Sequence, residues 1–208
     1  MSIETLTTVS PILLDHAVVG PPQGSWTSEH WERLPDDGNR YELIEGVLYM
    51  TTAPSFFHQW IIGALIEQLG VPAKQRGLGI WATAPIGVVF ARGNAVQPDF
   101  LFIASPNIGI IREGRIRGAP DLVVEVLSPG NSTEEMAKKR AMYARYGVPE
   151  YIEIDPTERT LLRYLPAEAG SYAAPEIYAE AASVQLSCLP DLPLRVGDLF
   201  SGAPDTTL

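Results

Sequence analysis

The sequence holds one cysteine, Cys188, and three histidines, His16, His30 and His58. An internal disulfide is excluded, the lone thiol fits a reducing cytosol, and a zinc-type His/Cys cluster is excluded as an organising theme. No uninterrupted apolar stretch reaches the roughly 18 residues that a membrane span needs. The N-terminal region lacks a basic start followed by an apolar run, and Glu4 and Asp15 stand there instead. No secretory leader and a cytoplasmic location are therefore expected. The strings GxxxxGKS/T, GxSxG, HExxH and CxxC are all missing, which disfavours P-loop nucleotide hydrolysis, serine-hydrolase chemistry and zincin chemistry. Gly77-Leu78-Gly79-Ile80-Trp81-Ala82 imitates a dinucleotide GxGxxA string, but the residues after it read as a strand, not a helix.

Positive charge is also scarce. With 15 Lys and Arg against 25 Asp and Glu, the net charge is −10, which counts against a nucleic-acid surface because phosphate contacts need cations. The distribution softens that objection. From Arg92 to Arg163 ten basic residues face ten acidic ones, whereas the remaining segments hold five and fifteen. Solvated surface charges on an acidic protein fit the same numbers.

What is present is enough for a core. Over 208 residues, 46% are hydrophobic and 19% charged, which suits a single folded domain over residues 26–208 behind a loosely ordered lead-in over 1–25. Ser28 to Leu34 reads as a short helix stopped by Pro35-Asp36-Asp37-Gly38. Tyr41–Ile44 and Val47–Thr51 form a hairpin around Glu45-Gly46. The spacing of Trp60, Ile61, Ala64, Leu65 and Leu69 predicts a helix from about Ser55 to Leu69, ended by Gly70 and Pro72. Strands are expected over Ile80–Phe90 and Val96–Ile103. The unalternating run Leu122-Val123-Val124-Glu125-Val126-Leu127 predicts a strand covered on both faces. Ser132 opens a helix from Thr133 to Tyr146 that closes at Gly147. Tyr151–Ile154, Thr160–Leu165 and a strand near Ile177–Leu186 come next, then the tail Leu189–Phe200. The outcome is an α/β (α+β) chain, a mixed β-sheet core flanked by two main helices.

Glu125 sits inside the most hydrophobic of these strands, where an unpaired carboxylate is very costly. A salt bridge or a solvent-reaching strand end would relieve it; so would a metal, because strand-borne carboxylates hold hard cations rigidly. Asp99, after Gln97-Pro98, is its natural partner if the two strands are neighbours, although Asp after Pro is often only a turn residue. Lys139 falls three residues after Met136 and four before Tyr143, in the middle of the helix's apolar stripe. Glu134, Lys138, Ala141 and Arg145 take the other side. An inward lysine needs an anion, and Glu125 is the candidate; the competing reading is a lysine snorkelling to water. Glu42 shares a hairpin face with Ile44 and Val47 and is a possible fourth group, or an edge-strand charge that discourages aggregation. His58, in the first turn of a helix, is placed to contact phosphate or to make a local hydrogen bond.

Val96-Gln97-Pro98-Asp99, Gly118-Ala119-Pro120-Asp121 with Leu122 to Pro129, and Lys139-Arg140-Ala141-Met142-Tyr143-Ala144-Arg145-Tyr146-Gly147-Val148-Pro149-Glu150-Tyr151 together resemble the Uma family of restriction endonucleases, within the PD-(D/E)XK superfamily. Tyr41 to Gly46 and Leu192 to Phe200 extend the resemblance to roughly residues 38–200. It implies a restriction-endonuclease-like αβββαβ core behind the N-terminal β-hairpin, with Asp99 and Glu125 as acidic ligands. Glu125-Val126-Leu127 has leucine where the superfamily places its ExK lysine, which points to Lys139 as a lysine moved to the next helix. Tyr151-Ile152-Glu153-Ile154-Asp155 departs from the family's more apolar strand at Glu153.

The resulting expectation is a Mg²⁺- or Mn²⁺-dependent DNA endonuclease, acting as a possible homodimer. Asp99, Glu125, Lys139 and Glu42 are its catalytic group, and Asp99, Glu125 and Val126 its metal ligands. His58, Gln97 and Ser128 are substrate contacts. The rival readings are a non-catalytic nucleic-acid-binding or interaction module on the same fold and a metalloprotein acting on small phosphodiesters.

Overall fold

The computed structural model describes residues 18–204 apart from positions 36, 38, 52 and 169. The lead-in expected over 1–25 therefore lies outside the described residues up to position 17, His16 included. In chain order the strands are β1 (Arg40–Ile44), β2 (Val47–Thr51), β3 (Gly79–Thr83), β4 (Val88–Ala91), β5 (Asn94–Val96), β6 (Phe100–Ala104) and β7 (Ile111–Arg112). They continue as β8 (Arg115–Arg117), β9 (Leu122–Val126), β10 (Tyr151–Asp155), β11 (Thr160–Tyr164), β12 (Glu176–Tyr178), β13 (Ser183–Leu186) and β14 (Leu189–Arg195). The helices are α1 (Ser28–Trp31), α2 (Phe56–Leu65), α3 (Val71–Gln75) and α4 (Thr133–Arg145).

The mixed-sheet core with flanking helices is resolved into two six-stranded sheets, ordered β2-β1-β5-β4-β8-β7 and β12-β11-β10-β9-β6-β3, plus the ribbon β13-β14. The hairpin has the expected two-residue turn, with Glu45 and Gly46 both at positive φ (51° and 77°). The two long strands read over Ile80–Phe90 and Val96–Ile103 are each divided, and their halves serve different sheets. Pro85 and Pro98 explain the division, because a residue without an N–H interrupts a ladder. The second crossing leaves Gln97-Pro98-Asp99 as the link between β5 in one sheet and β6 in the other.

The helical run that begins at Phe56 does not stop at Gly70. A π-turn over Ile66–Gly70 carries it into α3, which ends at Gln75. Val71 N–H donates to Ile66 carbonyl across the widened turn, so the donor missing at Pro72 falls at a junction that is already irregular. The expected helix over Ser28–Leu34 is shorter, ending at Trp31. The strand expected near Ile177–Leu186 is divided into β12 and β13.

Strand β9 is covered on both faces, as its unbroken apolar run requires. Leu122, Val124 and Val126 pack with Ile61, Leu65 and Leu69 of the α2 run. Val123 packs on the other side with Met142 and Tyr143 of α4. Period-two alternation then places Glu125 on the α4 face. Ser132 Oγ accepts from Glu135 N–H at 3.1 Å to start α4, and Gly147 at φ 79° comes just after its end. Among the described residues no helix is long and apolar enough to cross a membrane.

Gly79 opens a strand, and its bareness serves packing: a Cβ there would stand 2.2 Å from the Ile103 carbonyl oxygen of β6. Gly79→Ala is expected to destabilise the fold by about 1–3 kcal/mol. Gly63→Ala, in α2 with nothing within 4 Å of the new Cβ, is expected to stabilise it by roughly 0.5–1 kcal/mol. Urea unfolding midpoints of the two variants should move in opposite directions; equal shifts would contradict this packing.

Candidate active site

Strands β6 and β9 are antiparallel, with Phe100 opposite Val124, and the same register sets Asp99 opposite Glu125. Strand β1, in the other sheet, contributes Glu42, and α4 contributes Lys139. All four side chains are buried, with relative exposures of 3% for Asp99, 4% for Glu125, 2% for Glu42 and 4% for Lys139. The lysine points inward. Its Nζ lies 2.8 Å from Glu42 Oε2 and 2.8 Å from Glu125 Oε1, so one ammonium joins a carboxylate from each sheet.

The carboxylates are otherwise held by named donors. Gln97 N–H donates to Glu42 Oε1 at 2.7 Å. Asp99 Oδ2 accepts from Val126 N–H at 2.9 Å and from His58 Nε2 at 3.2 Å, and Oδ1 accepts from Arg40 Nη1 at 2.8 Å. Tyr143 Oη donates to Glu125 Oε1 at 2.7 Å, which leaves Oε2 as the Glu125 oxygen available to a cleft of about 260 Å³. Arg40, Glu42, His58, Asp99, Glu125 and Lys139 all line that cleft.

Three acids against two fixed cations leave the cluster short of positive charge. Burial pushes Glu125 up to about 7, and the neighbouring Asp99 and Glu42 add to the rise while Lys139 opposes it. Burial also pushes Asp99 and Glu42 up and Lys139 down, but at these three groups the neighbouring charges overcome it. His58 and Arg40 hold Asp99 well below the ordinary carboxylate range, Lys139 and Arg40 lower Glu42, and the Glu125 and Glu42 carboxylates keep Lys139 protonated. Of the three carboxylates, Glu125 is therefore the one that takes up a proton most readily. That deficit and the all-oxygen chemistry of the acids fit a hard divalent ion, which commonly takes one or two carboxylates and completes its shell with water. Among the described residues no three His, Cys, Asp or Glu side chains are grouped as a metal site. Asp99 and Glu125 are the acids that stand side by side here, and the Val126 N–H is engaged by Asp99.

The other sequence candidates are distributed unevenly. His58 is buried between Asp99 and the cleft, and its Nδ1 has no partner among the described residues. Ser128 is exposed at the cleft rim, its Oγ donating to Asn131 Oδ1 at 3.0 Å. Gln97 does not line the cleft; its Nε2 donates to the Tyr41 carbonyl at 3.3 Å. Glu153 is buried beside Glu125 in the parallel pairing of β10 with β9. It is fully served by a bidentate Arg140 and the hydroxyls of Tyr151 and Tyr164. Sequence reasoning misses Arg40 and the hydroxyl role of Tyr143. Arg40 was findable, because it stands two residues before Glu42 and strand alternation gives both one face.

Glu125 also sets a pH dependence. At about 7 against an ordinary 4.5, it keeps in the folded chain a proton that the unfolded chain has released. Rising pH removes stability between those two values. In metal-free buffer, the melting temperature of wild type relative to Glu125→Gln should fall from pH 5 to pH 8. A difference that stays constant across that range would contradict the shift.

A second cleft of about 580 Å³ adjoins the first, sharing Ser55, His58, Ser128, Asn131 and Met136 with it. Its far side is lined by Arg140, Asp155 and Thr157.

No curated protein matches the chain. Among solved structures, the crystal structure of a "putative nuclease belonging to DUF820" from Anabaena variabilis ATCC 29413 has a TM-score of 0.72 and 24% identity, covering 84% of this chain and 97% of that one. It shares the fold. The Uma2 family model, described as "Putative restriction endonuclease", matches residues 28–197, a span that contains every residue of the acidic cluster. The chain belongs to the Uma2 family.

Proposed function

We propose that the protein is a Mg²⁺- or Mn²⁺-dependent endonuclease that hydrolyses phosphodiester bonds of DNA. The observation that carries this reading is the buried Lys139 ammonium shared by Glu125 and Glu42 next to Asp99, at the mouth of a cleft and within a family described as restriction endonucleases. In this reading Asp99 and Glu125 hold the ion and the Val126 carbonyl assists. A bound divalent ion supplies Lewis-acid polarisation of the phosphate and lowers the pKa of water. Lys139 keeps its proton and sets a fixed positive charge where negative charge develops on the phosphate. Glu42 keeps the lysine in place, and Tyr143 fixes the Glu125 carboxylate so that Oε2 faces the cleft. The adjoining cleft past His58 and Ser128 favours a polymer over a small diester, because it extends the surface beyond one phosphate.

The test uses purified protein with supercoiled plasmid and short duplexes in Mg²⁺ or Mn²⁺. Glu125→Gln and Lys139→Met are each expected to lower cleavage by about 10²-fold or more, with circular dichroism reporting that the fold is retained. Undiminished cutting by both variants would overturn the assignment. Wild-type binding of DNA without turnover in any divalent ion would replace it with the non-catalytic module. Turnover of chromogenic diesters alone would replace it with small-diester chemistry.

A further inference from the structure

Arg40 enters the cleft from β1 and differs from Lys139 in its exposure: 22% of its side chain is accessible, against 5% for the lysine. Its guanidinium spans the cluster. Nη1 donates to Asp99 Oδ1 at 2.8 Å, and Nη2 donates to Glu42 Oε1 at 3.4 Å and to the Gln97 carbonyl. The Nε is buried without a partner among the described residues. The two Asp99 oxygens are thus used differently. Oδ2 is engaged by a backbone N–H and an imidazole, both anchored in secondary structure, whereas among the described residues Oδ1 has only Arg40. An ion that takes Asp99 through Oδ1 displaces one hydrogen bond. The released Nη1 stays in the cleft, because Nη2 remains tied to Glu42 and Gln97.

We propose that Arg40 is the placeholder cation of Asp99 in the ion-free protein and, once displaced by a divalent ion, a clamp on the scissile phosphate. This deepens the endonuclease reading and rests on it. Charge accounting supports the order of events. With all three carboxylates ionised, as a bound ion requires, Arg40 and Lys139 leave one negative charge. A divalent ion changes that to one positive charge, and a phosphodiester monoanion brings the filled site to neutrality. Planar, forked arginine suits both partners, a carboxylate first and a phosphate second.

The experiment measures Mn²⁺ binding by calorimetry to the full chain, alongside steady-state cleavage of a duplex, for wild type, Arg40→Gln and Arg40→Lys. Removing the competing charge is expected to tighten Mn²⁺ binding by about tenfold. The same substitution is expected to lower kcat/KM by roughly 10²-fold, with lysine restoring both values part of the way. Weaker or unchanged Mn²⁺ binding by Arg40→Gln would overturn the placeholder, and an unchanged kcat/KM would overturn the clamp. Intact wild type gives an independent reading, since Mg²⁺ titration should shift the Arg40 side-chain nitrogen resonances; signals that stay fixed at saturation would sink the idea whether or not a variant folds. A wild-type chain that binds no Mn²⁺ overturns the endonuclease reading itself. A chain that binds Mn²⁺ and cuts DNA while Arg40 variants behave oppositely overturns only the inference about Arg40.

Discussion

One dehydrated ammonium organises the centre of this protein. Lys139 is withdrawn from water and repaid by two carboxylates that belong to different sheets. Such a pair contributes little net stability over an apolar substitute, yet losing one partner is costly, about 3–5 kcal/mol. The arrangement is therefore weak as glue and strong as a positional constraint: Glu42, Glu125 and α4 tolerate few relative placements. The crossing at Gln97-Pro98-Asp99 adds a second tie, since the same three residues feed a backbone N–H to Glu42 and a carboxylate to the neighbourhood of Glu125.

Helix α4 performs this service twice. Lys139 and Arg140 are consecutive, and they reach Glu125 and Glu153, which sit side by side on parallel strands. The two acids end in different states. Glu153 is fully satisfied by Arg140 and two tyrosine hydroxyls, which explains how a charged residue fits a strand of otherwise apolar partners. Glu125 shares its cation with Glu42 and remains short of positive charge. That contrast separates a fully paired carboxylate from one left short of positive charge.

Much of this was legible in the sequence, for reasons that can be traced to particular residues. Lys139 could be placed because helical periodicity is strict and its neighbours Met136 and Tyr143 are unambiguous. Glu125 could be placed because a carboxylate inside a run of valines has few physical excuses. The two sheets were hidden, because Ile80–Phe90 and Val96–Ile103 each read as continuous β-propensity and only Pro85 and Pro98 mark where pairing changes partner. The helix past Gly70 was hidden as well: Gly and Pro are ordinary stop signals, and a π-turn that neutralises them leaves no composition signature. Arg40 was legible only through strand alternation with Glu42, since by type an arginine before a hairpin acid looks like any surface pair.

The separations along the chain have a kinetic meaning. Lys139 meets Glu42 across 97 residues, and Arg40 meets Asp99 across 59. Contacts of that span form only after long loops have closed. The ions of the cleft thus shed their hydration late, when both sheets and α4 have already docked. The cleft and its ion pairs therefore belong to the fully assembled chain rather than to any fragment of it.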